Sequence, residues 1–162
     1  MAKRDEQTFF FDVPPEKLLE VLIDEEYQIA RQKSQGALEV QVKETSRTDE
    51  RFVFEVHAKE YARGFTGVDK SKTEINVTTY DWDLKARRGS WKHTTSQGDR
   101  VKVWGTVQIQ PDGEKSKLVN DFNIEVEIPL LGGKIEKMVM KEVAKGWTDY
   151  EKVIREFCNP QP

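Results

Sequence analysis

The apolar positions of this chain follow two regimes. From Leu38 to Ile128 they recur every second residue, and on either side of that span they recur at helical spacing. Leu38, Val40 and Val42 alternate with Glu39, Gln41 and Lys43, and Phe52, Phe54, Val56 and Ala58 alternate with Val53, Glu55, His57 and Lys59. Ile75, Val77 and Thr79 alternate more weakly. Trp91, His93 and Thr95 share a parity, as do Val101, Val103, Gly105, Val107 and Ile109. The last such run is Leu118, Asn120, Phe122, Ile124, Val126 and Ile128. A period of two marks strands with one face on a core. Arg87-Arg88-Gly89, Gln97-Gly98-Asp99 and Pro111-Asp112-Gly113 supply turn chemistry between runs.

Upstream, Gln7 to Val13 reads as a strand carrying Phe9, Phe10 and Phe11, and Pro14-Pro15 ends it. Proline fits the first turn of a helix, so a helix can start there. Leu18, Val21 and Leu22, with Leu19 and Ile23 beside them, have helical spacing. Asp24-Glu25-Glu26-Tyr27 interrupts it, a second short helix runs to Lys33, and Gly36 closes the segment. Downstream, Ile135, Val139, Val143, Tyr150, Ile154 and Phe157 form one stripe with Trp147 beside it. Lys134, Glu136, Lys137, Lys141, Glu142, Lys145 and Glu151 fall mostly elsewhere. At about 1.5 Å per residue, roughly 24 residues make a rod of about 36 Å, long enough to cross a sheet. The pattern predicts an α+β fold: a seven-stranded antiparallel curved sheet, two short helices after the first strand, and a long C-terminal helix. Residues 1–162 read as a single domain without linkers or repeats.

Composition narrows this picture. Apolar residues make up 36% and charged residues 34%, a thin core for 162 residues. An antiparallel sheet with one wet face fits that balance. The net charge of -3 gives no general attraction to nucleic acid. A basic cluster, Arg87, Arg88, Lys92, Arg100 and Lys102, reads as a solvated face. The lone Cys158 excludes an internal disulfide and has no pattern of catalytic partners. There is no apolar leader at the N-terminus and no apolar run of membrane-spanning length, so a cytoplasmic protein without an integral membrane segment is expected. His57 and His93 lie far apart with no CxxC, so neither a metal nor another cofactor is expected. Gly64 to Ser71 is similar to a phosphate loop but lacks the glycine before Lys70-Ser71, and it reads as a mobile loop.

Three strings carry a resemblance. Phe11-Asp12-Val13-Pro14-Pro15-Glu16-Lys17-Leu18-Leu19 resembles the opening of the START-related (SRPBCC, Bet v 1-like) superfamily, where a strand runs into proline and then a helix. Asp24-Glu25-Glu26-Tyr27 and Ile128-Pro129-Leu130-Leu131-Gly132-Gly133-Lys134-Ile135-Glu136-Lys137 resemble a family of that superfamily, DUF2505, which has no assigned activity. The resemblance implies a helix-grip fold, with the last helix over the concave face of the sheet and a cavity for a hydrophobic ligand between them. Fold alone does not fix function.

Under that arrangement Trp91, His93, Val103, Phe122 and Ile124 would line the cavity from the sheet. Val143, Trp147 and Tyr150 would line it from the helix, with Met138 and Met140 flanking. The same residues could equally fill a core, and both readings stand at this stage. His93 could hydrogen-bond a ligand head group or act as a base, but no Asp, Ser or Cys partner stands in a recognisable pattern. His57 shares parity with Glu55 and Lys59 and should face water, and Asp81 and Asp83 read as surface charges. The leading expectation is binding of a hydrophobic small molecule such as a lipid, isoprenoid or polyketide-like compound. The alternatives are a cyclase- or hydrolase-type enzyme using the same cavity, for which no catalytic residue is assigned, and a co-chaperone-like interaction module. A transient membrane or protein contact stays open.

Overall fold

The computed structural model describes residues 2–64, 67–96 and 98–159. In chain order the elements are β1 (Lys3–Phe11), α1 (Pro15–Leu22), α2 (Glu25–Ser34), β2 (Glu39–Arg47), β3 (Arg51–Gly64), β4 (Gly67–Asp83), β5 (Arg88–Thr94), a 3₁₀ turn (Gly98–Arg100), β6 (Val101–Asp112), β7 (Lys115–Val126) and α3 (Gly132–Cys158). The strands form one antiparallel sheet in the order β1-β7-β6-β5-β4-β3-β2. This is the predicted α+β helix-grip architecture, with seven strands and the long helix last.

Local chemistry sets the element boundaries. Pro15 occupies the first turn of α1. Asp24 caps α2 by accepting the Tyr27 amide at 3.1 Å. β1 begins at Lys3, upstream of the predicted start at Gln7, because β7 continues to pair with it as far as Lys3 opposite Ile124. The predicted loop Gly64 to Ser71 is instead largely strand: Arg63 pairs with Val68 and Ala62 with Asp69. Phe65 and Thr66 of that segment, and Gln97 of the predicted turn before β6, lie outside the described residues.

Directly opposed residues of an antiparallel pair share a face. Phe52, Phe54, Val56 and Ala58 oppose Trp82, Tyr80, Thr78 and Asn76, and all eight are buried. The inward set of β4 is therefore even-numbered, and Ile75 is 61% exposed. At one end of this concave face Phe9, Phe11, Leu18, Leu22, Phe52, Trp82, Ile109, Leu118 and Ile154 close into a core. Two glycines make room for indole rings there and beside it. A Cβ on Gly89 would stand 2.7 Å from the Trp82 ring, and one on Gly105 would stand 2.7 Å from Trp91 and 1.9 Å from the Asp121 carbonyl.

The chain turns from β7 into α3 through Leu130, which has φ 68, and Gly132. A Cβ on Gly132 would meet the Val126 carbonyl oxygen at 2.4 Å. Glu136 is fully buried, and its Oε2 accepts the Val126 amide at 2.9 Å. The helical pattern assigned Glu136 to the polar side. It is instead the clasp between the last strand and the first turns of the helix.

Candidate ligand site on the concave face

The register gathers five of the predicted site residues. His93, Val103 and Ile124 oppose one another across β5, β6 and β7, and Trp91, Gly105 and Phe122 form the neighbouring row. The Trp91 and Phe122 rings lie 5.7 Å apart. Ile124 is fully buried, whereas Trp91, His93, Val103 and Phe122 are half-buried. From α3, Val143 and Trp147 are half-buried and Tyr150 is buried. Met140 is half-buried and Met138 is 42% exposed.

On its sheet side α3 lies against β1 and β7. Its C-terminal half is anchored: Tyr150, Val153, Ile154 and Cys158 are buried. Two hydrogen bonds extend that anchoring toward the middle. Asn120 Nδ2 donates to the Tyr150 hydroxyl at 2.8 Å, and Trp147 Nε1 donates to Asp5 Oδ2 at 3.1 Å. Ile135, Val139 and Val143, on the N-terminal half, remain half-buried. The concave face is thus sealed at one end and incompletely covered at the other.

Polar groups cluster where coverage thins. Asn76 Nδ2 donates to Glu60 Oε2 at 3.2 Å, and burial raises the Glu60 pKa above its ordinary value. Thr78 Oγ1 and His93 Nδ1 share a hydrogen bond of 2.8 Å. Burial, reinforced by the positive charge of Arg31, pushes the His93 pKa down to about 4. Its imidazole is therefore neutral at pH 7. Such a weak base suits hydrogen bonding to a ligand better than proton abstraction. Arg31, from the last turn of α2, donates to the Tyr80 hydroxyl at 2.8 Å and lies 4.7 Å from the centre of the Tyr150 ring. Burial opposes its charge, but the surrounding Tyr80, Tyr27 and Tyr150 outweigh that, and its pKa is raised.

Arg31, Tyr80, Thr78, Asn76 and Asn120 were not among the predicted site residues. A signal existed for Tyr80, which shares the parity of Trp82, and for Arg31, which stands four residues after the buried Tyr27 on the same helix face. The weak amphipathicity of α2 hid it.

The convex face presents a different surface. A depression of about 580 Å³ opens among Glu50, Arg51, Asp81, Asp83, Lys85 and Arg88. Its charges largely neutralise one another: Arg51 forms a two-pronged pair with Asp81 at 2.8 and 2.5 Å, and Lys85 pairs with Glu50 at 2.7 Å. The predicted basic cluster is likewise interrupted, because Arg87 pairs with Glu16 and Lys102 with Glu127. His57 pairs with Glu55 on this side. Among the described residues no group of three or more His, Cys, Asp or Glu could hold a metal ion. Among the same residues no helix is long and apolar enough to cross a membrane.

Residues 6–158 match the family described as a protein of unknown function, DUF2505. The chain belongs to this family. No curated protein matches the sequence at a significant level. Solved structures share the fold at low identity. The protein TTHA0849 of Thermus thermophilus aligns at 22% identity and a TM-score of 0.62, over 98% of this chain and 97% of its own. The Zhui aromatase/cyclase of a Streptomyces species aligns at 15% and 0.62, over 98% and 94%. A START superfamily protein of Mycobacterium smegmatis aligns at 15% and 0.54, over 94% and 97%. The DUF2505 chain thus shares the START-like helix-grip fold of these structures.

Proposed function

We propose that this protein binds a hydrophobic small molecule, of lipid, isoprenoid or polyketide-like character, between the concave face and the N-terminal half of α3. One observation carries this reading. Trp91, Val103 and Phe122 sit on the inner face of the sheet yet keep part of their surface exposed, while inward residues at the other end are closed off. Removing apolar surface from water supplies the affinity, at about 25 cal/mol per Å² before the costs of association. His93, held neutral, and the groups around Arg31 supply the few polar contacts that orient a ligand. The fold relationship to an aromatase/cyclase raises the enzyme alternative, but the partner found for His93 is Thr78, not a carboxylate. The paired charges of the convex depression leave it little unsatisfied charge to offer an interaction partner.

Trp91 and Trp147 make the test direct. A panel of fatty acids, fatty alcohols, isoprenoid alcohols and polycyclic aromatics is titrated while tryptophan emission is followed. Saturable quenching or a blue shift is expected for at least one class, and Val103→Trp, which fills the space, should abolish it. A panel without saturable binding, together with protein that carries no co-purified hydrophobic molecule by native mass spectrometry, would refute the reading.

A further inference from the structure

The guanidinium of Arg31 is held without a counter-ion. One nitrogen donates to the neutral Tyr80 hydroxyl, the cation lies over the Tyr150 ring, and Nε is buried with no hydrogen-bond partner. Among the described residues no carboxylate forms an ion pair with it, whereas Arg4, Arg47, Arg51, Arg87 and Arg155 each pair with Asp or Glu. A buried donor of a charged group left without an acceptor keeps the whole cost of its lost hydration. The cation–π contact and the C-terminal end of the α2 dipole offset part of this, but neither offers an acceptor to Nε.

The position of this charge matters as much as its lack of a partner. Tyr80 belongs to the same inward row as Trp91 and Phe122: Tyr80 opposes Trp91, which opposes Gly105, which opposes Phe122. Arg31 is close enough to His93 to lower that residue's pKa. A ligand whose apolar body lies along Trp91 and Phe122 therefore has a lone cation at the inner end of its row.

We propose that the ligand carries a carboxylate, which pairs with the Arg31 guanidinium while the apolar body lies along Trp91 and Phe122. The charge balance favours a carboxylate over a phosphate monoester. A single guanidinium matches one negative charge. The planar guanidinium also suits the paired oxygens of a carboxylate, with Nε as one of the two donors. This inference rests on the hydrophobic-ligand reading and assigns the head group within it.

The test uses matched probes on the full chain: hexadecanoic acid and hexadecan-1-ol, each below its aggregation concentration at pH 8, titrated by tryptophan emission. Wild-type protein should bind the acid about 10- to 100-fold more tightly than the alcohol, the range of a hydrogen bond to a charged group. Arg31→Gln should bring that ratio to about 1, and Arg31→Lys, which keeps charge but loses the fork, should retain part of it. Tyr80→Phe removes only a hydroxyl and should lower the ratio several-fold, which keeps the test available if Arg31→Gln does not fold. Equal affinity for acid and alcohol in the wild type, or a preference that survives both Arg31→Gln and Tyr80→Phe, overturns the head-group assignment alone. If neither probe binds and the wider panel also fails, the binding reading falls and takes this inference with it.

Discussion

The two halves of α3 lie on one helix and carry one apolar stripe, yet they do different work. Toward the C-terminus Tyr150, Val153, Ile154 and Cys158 are buried against β1, β7, α1 and α2. Toward the N-terminus Ile135, Val139 and Val143 keep part of their surface, although they continue the same stripe. The sheet repeats the contrast, from Trp82 and Leu118 at the closed end to Trp91, His93 and Phe122 at the open one. Periodicity places a residue on a face. Whether that face is covered depends on what lies across from it, and here α1 and α2 cover only one end. The closed end holds the fold, and the open end is where the proposed ligand would sit.

The largest expected effect tests the closed end. Ile154 is fully buried in a cluster with Leu18 and Phe11. Ile154→Ala removes buried methyl groups and leaves a cavity that the surrounding elements cannot readily close. A loss of about 2–5 kcal/mol in urea unfolding is expected. A loss below about 1 kcal/mol would mean that the two halves of the helix do not differ as described.

The next effect is electrostatic and belongs to the open end. His93 has its pKa lowered from 6.5 to about 4. Above pH 6.5 the imidazole is neutral in both folded and unfolded chains, and its contribution to stability is fully present. As pH falls from 6.5 toward 4, the unfolded chain takes up a proton that the folded chain refuses, so stability is lost across that window. Because His93 is only half-buried, a loss of about 1–2 kcal/mol is the reasonable scale. Carboxylates also titrate in this range, so the readout is a difference. The wild-type decline between about pH 7 and pH 4.5 should exceed that of His93→Gln. Parallel curves would mean that His93 is freely solvated.

Much of this layout was legible in the sequence, for a physical reason. Period-two and helical patterns report which face is apolar, and turn residues report where strands end, so the seven strands, three helices and their order could be read off. Parity paired Trp91 with His93 and Phe122 with Ile124, and the resemblance supplied the shared concave face that joins them to Val103. The features that escaped depend on contacts distant in sequence. Glu136 looked like a surface residue, because only the fold brings the Val126 amide to it. The inward parity of β4 was hidden by Asn76 and Thr78, polar residues that are buried through pairing with β3. Arg31 looked like an ordinary exposed cation of a polar helix. Its environment comes from Tyr80, 49 positions away, and from Tyr150 on another helix. Gly64 to Ser71 reads as a loop, since the outer part of the β3–β4 ribbon has no buried face to impose alternation. Val68 there is 54% exposed.

The smallest effect on stability sharpens the comparison most. Val143 continues the stripe of Ile154 about three turns nearer the helix start, and it is half-buried. If the N-terminal half of α3 were ordinary core, Val143→Ala would cost about as much as other buried truncations. Because part of that side chain already meets solvent, the expected loss is below about 1 kcal/mol, less than half of that for Ile154→Ala. Affinity should move the other way. A hydrophobic ligand seated beneath α3 would lose contact with the missing methyl groups, weakening binding by about two- to fivefold in tryptophan titration. A variant that is strongly destabilised would identify this half of the helix as core. One that changes neither stability nor affinity would place the ligand elsewhere on the concave face. Little stability lost with a measurable loss of binding is the pattern that separates a wall built for a ligand from a wall built for the fold.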